Sequence, residues 1–430
     1  MSSTRSRPPE ERTSASSSTS LPHHKRRIRL MMLAGEASGE RHGAELIEAL
    51  RREYPQLEFE IFGSGGVAMR QAGADVLVDV RELGIFGMVE TATALGKIYR
   101  TFRHLRRAAI DRRPDAVIMI DWPEFNLRLA RPLKRAGLRI IYYISPQIWA
   151  WRRYRVRTIR RTVDRLIVIL PFEVDFYRQF GLTVDFVGHP LLDVVRATKD
   201  RRAFCHDHGL DAARPIISLL PGSRRSELKH IFPVMVEALL RLPPSNAQFV
   251  VPLAPTIPRS WAERLQAEVM GRWASMADGE DPNGRSPAAT LTFVEQDTHN
   301  ALAHSILAVV ASGTATLEAA LLETPMIIVY RSSSLNWFLV RPLLHVDTFG
   351  MVNLVAGRKI VPELIQYDLT PDRLARTMLA FIDDEPKRQA VKEELRQLKR
   401  RLGPGQAARR AARLIVETIG CQLDSPKPAS

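Results

Sequence analysis

The chain has 430 residues, 45% hydrophobic and 25% charged, with a net charge of +15; this is globular composition at a length one core rarely supports, so two domains are expected. Residues 1–27 hold only six basic and two acidic side chains, so the body itself is basic and its partners are expected to be anionic. Two cysteines far apart, Cys205 and Cys421, exclude a disulfide framework and point to a reducing, cytoplasmic compartment, and no apolar run reaches the roughly 20 residues of a membrane span.

The Ser-, Pro- and Arg-rich opening lacks the apolar centre of a signal peptide and reads as a disordered tail over 1–27. A first strand is expected at Ile28–Leu33, running into LAGEASGERHG, where Gly35, Glu36, Ser38 and Gly39 turn the chain into a helix. This is not the dinucleotide GxGxxG pattern, and small residues here also suit close packing. A second strand, Glu58–Phe62, leads into another small-residue turn, FGSGG. Gly84 to Ile110 then reads as one amphipathic helix: Ile85, Met88, Val89, Ala92, Leu95, Ile98, Tyr99, Phe102 and Leu105 recur at three- and four-residue steps beside Lys97, Arg100, Arg103, Arg106 and Arg107. With the neighbouring basic clusters at 128–135 and 152–161, this helix is a candidate for an anionic membrane surface; the alternative is a core helix with a solvated basic side.

The strand Ala116–Ile120 ends at Asp121, followed by Trp122, Pro123 and Glu124. A carboxylate at this place serves either as a helix N-cap or as a group that reaches a cleft, and these residues alone leave both readings open. Glu124 reads as a helix-dipole partner. After a strand at Ile140–Ile144, SPQIWAWRRYRVRTIRR carries Ser145, Gln147, two tryptophans and a run of arginines read as one helix. Aromatics beside arginine suit base stacking, but no RNA-binding motif accompanies them, so nucleic acid is not an expected partner. Strands at Leu166–Leu170 and Val184–Val187 close this half.

The charged, helical segment Val194–His208 reads as the passage between domains, dividing the chain into 28–193 and 194–384. Strands follow at Ile216–Leu220, Gln248–Val251, Thr290–Val294, Leu307–Val310 and Met326–Tyr330, with a loop insertion at Met276–Ala288. Two strand ends open into small, hydroxyl-bearing loops before helices: LLPGSRRSE, with Gly222, Ser223 and Arg224, and VASGTATLE, with Ser312, Gly313, Thr314, Thr316 and Glu318. Such turns offer backbone N–H groups to phosphate. Arg224 adds a planar fork for a diphosphate, and Glu318 can accept from two ribose hydroxyls. Asn353 and Glu363 bracket a polar loop before a short helix. The stretch Pro371–Gly420 reads as helical throughout, with 385–420 able to fold back on the first domain and 421–430 a tail. Alternating strands and helices in both halves predict two doubly wound α/β domains facing a cleft, with a helical C-terminus. No His or Cys cluster has ligand spacing, so neither metal nor cofactor is expected.

In order along the chain, GEASGERHGA, IDWPEFN, SPQIWAWR, ILPFE, VGHPL, LLPGSRRSE, SGTATLEAAL and VNLVAGRKIVPELIQ resemble the lipid-A-disaccharide synthases, inverting glycosyltransferases of GT-B architecture, over about Ile28 to Gly420. The resemblance implies a UDP-2,3-diacylglucosamine donor, a 2,3-diacylglucosamine 1-phosphate acceptor, release of UDP, and a place on the inner face of the inner membrane. It implies that Gly222, Ser223 and Arg224 lie near phosphate and Glu318 near ribose, that the first domain takes the acceptor, and that Asp121 is the base. Departures from the family pattern are Glu40 for Asp, Ser64 for Gly, and Trp122 and Glu124 for Ala and Asp. Competing readings are an enzyme like UDP-N-acetylglucosamine 2-epimerase and a basic nucleotide- or RNA-binding protein. The oligomeric state is open, a homodimer among the options.

Overall fold

The computed structural model describes residues 25–80, 92–243, 246–254, 290–333 and 348–420, with isolated positions between 257 and 341. The expected loop insertion at 276–288 and residues 1–24 and 421–430 of the expected tails lie outside the described residues, while Arg26 and Arg27, expected in the tail, begin a strand.

The first domain runs β1 (Arg26–Ala34), α1 (Ala37–Glu53), β2 (Leu57–Gly65), α2 (Val67–Gln71), β3 (Asp75–Asp79), α3 (Ala92–Arg112), β4 (Ala116–Ile120), α4 (Pro123–Arg135), β5 (Ile140–Tyr143), α5 (Ile148–Trp151), α6 (Val156–Thr162), β6 (Arg165–Val168), α7 (Pro171–Arg178) and β7 (Asp185–Phe186). Its seven strands pair in parallel in the order β3-β2-β1-β4-β5-β6-β7. After α8 (Leu191–Val194) and α9 (Arg201–Asp207), the second domain runs β8 (Ile216–Leu220), α10 (Arg225–Leu239), β9 (Gln248–Leu253), β10 (Thr290–Glu295), α11 (Thr298–Ala303), β11 (Leu307–Ala311), α12 (Thr314–Leu321), β12 (Met326–Tyr330), α13 (Met351–Ala356) and β13 (Glu363–Ile365). Its six strands are also parallel, in the order β10-β9-β8-β11-β12-β13. Then come α14 (Pro371–Ile382), α15 (Glu385–Arg401) and α16 (Ala407–Thr418).

Central strands are continuous apolar runs because helices cover both faces: AVIMI of β4, IISLL of β8 and LAVVA of β11 are buried at every position. Two edge strands, β3 and β13, escaped sequence reading, while the edges β7 and β10 match the strands expected at Val184–Val187 and Thr290–Val294. β3 is DVLVD, flanked by charge and only half-buried, and β13 is three residues long, directly after Pro362. Three further expectations need correction. The arginine run is broken into α5, a 3-10 turn at Arg153–Arg155 and α6, since Arg152 leaves the helical region (φ −128°, ψ 52°). Asn353 lies inside a helix and Glu363 opens a strand, so no polar loop followed by a helix spans them. The helical end is three helices, parted at Asp383–Asp384 and around Gly403 and Gly405, both at positive φ.

Two crossings join the domains. The first, through Thr198 and Lys199, is fixed to the second domain: both N–H groups donate to Asn300 Oδ1 (2.8 and 3.0 Å), and Lys199 Nζ donates to Asp297 (2.8 Å). Burial pushes the Asp297 carboxyl up, but Lys199, His208 and Asn300 outweigh this and hold it down at about 2. The return crossing runs beside the VGHPL turn, where His189 N donates to Leu402 O (2.9 Å) and Asp193 accepts from the N–H groups of Gln406 (2.6 Å) and Ala407 (3.1 Å). Of the C-terminal helices, α15 packs on α12, α13 and α14 of the second domain, whereas α16 lies against α1 of the first.

Candidate active site

In both sheets the strand order reverses between the first and fourth strands of the domain, β1/β4 and β8/β11, and ligands of doubly wound folds sit beyond the carboxyl ends at such points. Gly35–Gly39 follow β1, Asp121 follows β4, Gly222–Arg224 follow β8 and Ser312–Thr314 follow β11, at these points, whereas Ser145 and Gln147 follow β5 and Asn353 and Glu363 belong to α13 and β13. After β1, Gly35 and Gly39 are buried while Glu36 and Ser38 are exposed. A Cβ on Gly35 would stand 1.9 Å from Trp122 Cδ2, so glycine is required for the Trp122 indole to lie across the turn. That indole stacks on Phe125 at 4.0 Å. Glu36 holds the N-cap position of α1 without a capping bond. The departures from the family pattern have structural partners: Ser64 Oγ donates to Ala34 O (2.9 Å), and Glu40 accepts from Ala68 N (2.8 Å) at the start of α2.

Asp121 and Trp122 both adopt the left-handed conformation, φ +47° and +51°. Two successive non-glycine residues there cost about 1 kcal/mol or more each, and such strain gathers at functional sites. The kink is fixed through the Asp121 carbonyl, which accepts from Asn126 Nδ2 (2.8 Å) and from the Tyr142 hydroxyl (2.6 Å). It is Trp122, not Asp121, that occupies the N-cap position of α4, and no side chain caps there. Burial, with the nearby Glu36 carboxylate, pushes the Asp121 carboxyl up to about 6, against the opposing Trp122 N–H and His42. The arginines after β5 pair elsewhere: Arg155 with Glu124 at 2.6 Å, and Arg152 with Glu124 too. Glu124 is thus a tie between α4 and the arginine segment, beyond the helix-dipole role read from sequence.

Ser145 faces inward, its Oγ 2.5 Å from the Tyr177 hydroxyl, beside the buried Glu173 of ILPFE, which accepts from Leu170 N (3.1 Å). Burial raises the Glu173 carboxyl to about 8, so it is largely protonated at neutral pH. Gln147 stays exposed at the N-cap of α5.

In the second domain Ser223 and Arg224 are exposed before α10, and Gly222 takes φ +117°. Across the switch point Gly313 is the N-cap of α12, with Gly313 and Thr314 exposed, while Ser312 Oγ donates to Phe349 O (2.9 Å) and Thr316 Oγ1 to Gly313 O (2.7 Å). Glu318 is half-buried, 3.9 Å from His299 Nε2. Asn353 and Glu363 come together, but toward the backbone: Glu363 accepts from Phe349 N, Gly350 N and Asn353 Nδ2 (3.0, 2.9 and 2.9 Å), and Asn353 Oδ1 accepts from Ile360 N and Val361 N (2.8 and 3.1 Å). They shape the loop walls. Sequence reading missed Asn126, Tyr142 and His299, whose relevance depends on long-range contacts, and Glu227, the N3 residue of α10, whose N-cap is Arg224 in place of the Ser or Thr that would signal a capping box. Together these groups offer a proton acceptor on one domain and cation, N–H and carboxylate functions for a nucleotide on the other.

A family model, LpxB: Lipid-A-disaccharide synthetase, matches residues 30–419. The lipid-A-disaccharide synthase of Syntrophus aciditrophicus is 42% identical over 91% of this chain and 97% of its own length, and that of Koribacter versatilis 40% identical over 90% and 98%. Among solved structures, the S. aureus MnaA–UDP co-structure shares the fold at a TM-score of 0.58 and 14% identity, over 94% of this chain and all of the other. Two doubly wound domains in GT-B arrangement and near-complete matches at about 40% identity lead to one conclusion: the chain belongs to the lipid-A-disaccharide synthetase family.

Proposed function

We propose that the protein joins UDP-2,3-diacylglucosamine to 2,3-diacylglucosamine 1-phosphate with Asp121 as the base. The acceptor's 6-hydroxyl oxygen attacks the anomeric carbon of the donor, the bond to UDP breaks with its electron pair leaving on the diphosphate, and the hydroxyl proton passes to Asp121. Arg224 and the N–H groups opening α10 and α12 stabilise the charge growing on UDP, and Glu318 accepts from the ribose hydroxyls. The observation that carries the reading is Asp121 itself: a carboxylate at a sheet's switch point, in a strained turn, that caps nothing and is tuned to about 6. The epimerase alternative has only fold likeness behind it, while family membership runs against it and against the RNA reading.

We assign the acylated acceptor to the first domain. There α3, α4 and α6 pack side by side and present Arg100, Arg103, Arg106, Arg107, Arg128, Arg131, Arg157, Arg160 and Arg161, with Tyr99 and Tyr154 exposed among them. We read this face as the contact with anionic membrane. Among the described residues no helix is long and apolar enough to cross a bilayer.

A UDP-release assay with the two acylated glucosamines tests the reaction, and calorimetry tests the site. Arg224→Ala and Glu318→Ala should each weaken UDP binding by about 1.5 to 3 kcal/mol; unchanged affinity in both variants would remove these residues from the site.

A further inference from the structure

The N–H groups at the mouth of α10 already hold a carboxylate. Glu227 Oε2 accepts from Ser223 N at 3.0 Å and from Arg224 N at 3.2 Å, and its other oxygen lies 3.6 Å from Arg224 Nη1. The Glu227 side chain is 16% exposed, whereas that of Arg224 is 77% exposed. Gly222 wraps the carboxylate closely, since a Cβ there would stand 2.4 Å from Glu227 Oε2. In α9, α14 and α15 the cap comes from the residue before the helix, Asp200, Thr370 and Asp384. Here, as at α7, where Glu173 accepts from Leu170 N at 3.1 Å, it comes from the third residue inside, which reaches back over the loop. Capping alone would account for that contact. What it does not account for is the location, on the very donors that the diphosphate of a UDP-sugar would use.

We infer that Glu227 is a resident stand-in for the donor's diphosphate, holding the Gly222–Arg224 loop in its binding shape and surrendering the Ser223 and Arg224 N–H groups when a UDP-sugar binds. This rests on the phosphate reading of the loop proposed above. Two anions cannot share one cradle without repulsion, so the carboxylate must swing away or take a proton. It therefore weakens ground-state binding of phosphate-bearing ligands only. On the product side its return competes with UDP and speeds release.

Calorimetric titration of UDP, inorganic pyrophosphate and uridine into the parent, Glu227→Gln, Glu227→Asp and Arg224→Ala separates the possibilities. Gln keeps the shape and an acceptor oxygen without the charge; Asp keeps the charge but is too short to span both N–H groups. Glu227→Gln should bind UDP and pyrophosphate roughly tenfold more tightly with uridine unchanged, and Glu227→Asp should move the same way by less. If Glu227→Gln binds UDP no more tightly than the parent while Arg224→Ala weakens it, Glu227 is a fixed cap and the inference fails with the phosphate reading intact. If neither variant changes UDP or pyrophosphate binding, the phosphate reading itself fails.

Discussion

A carboxylic acid with a raised pKa is silent until it loses its proton, and for Asp121 that gives a pH dependence with a definite sign. Below about 6 the group is protonated and cannot accept from a hydroxyl. Activity should therefore rise with pH through about 6 and then level. Asp121→Asn keeps the size and one acceptor oxygen, so turnover should fall by about 10² to 10⁴ while UDP binding by calorimetry persists. Turnover within a few-fold of the parent would assign the base elsewhere, Glu36 being the nearest carboxylate named by the same electrostatics. The place of Asp121 at a strand end was legible in sequence because an apolar run stops at it. Its left-handed backbone was not, because the residues that fix it, Asn126 and Tyr142, act through contacts that no local pattern encodes.

Among the elements, buried parallel strands were legible because apolar runs of four to six residues fit nothing else of that length between helices. Two edge strands were not: β3 is bracketed by Asp75 and Asp79 and β13 has three residues, so neither shows an apolar run, although the edges β7 and β10 were legible. The amphipathic segment divides. Residues 84–91 lie outside the described residues, and along α3 the stripe of Ile98, Phe102, Leu105 and Ala109 packs into the core of the first domain. That stripe is a core face, so what α3 can offer a bilayer is its basic side and Tyr99, an electrostatic contact in place of an embedded one. Reversing Arg103, Arg106 and Arg107 to Glu should cut binding to anionic liposomes at low salt and raise the apparent KM for the lipid acceptor, with UDP affinity unchanged. Liposome binding that survives the reversal would return α3 to a purely structural role.

On the scale of the whole molecule, the division into two α/β halves was legible in the alternation of strands and helices, whereas the switch points follow from a strand order that only the structure shows. A return of 385–420 to the first domain was anticipated, but that only α16 makes it, and where the chain turns, was not visible, since Gly403 and Gly405 are two glycines among 24 until they meet their partners. A Cβ on Gly403 would stand 2.8 Å from Gly188 Cα, at φ +103°. Gly403→Ala should lower stability by roughly 1 to 3 kcal/mol, read as a lower midpoint in thermal denaturation, while Gly137→Ala, at φ +79° but with nothing within 4 Å, should cost only the backbone strain.

The seating of α16 on α1 has a consequence for how the chain is made. Ala411, Ala412, Ile415 and Val416 of α16 share a buried cluster with Leu46 and Leu50 of α1, and Arg409 pairs with Glu53 at 2.6 Å. On a ribosome adding about 5 to 20 residues per second, roughly 20 to 70 s separate the emergence of Glu53 from that of Ala407. The second domain, whose last packing helix is α15, can close before then. The half of the enzyme that is born first is the last to be completed, and until the final turns of α16 emerge, α1 carries an apolar flank that a chaperone or a neighbouring nascent chain can reach.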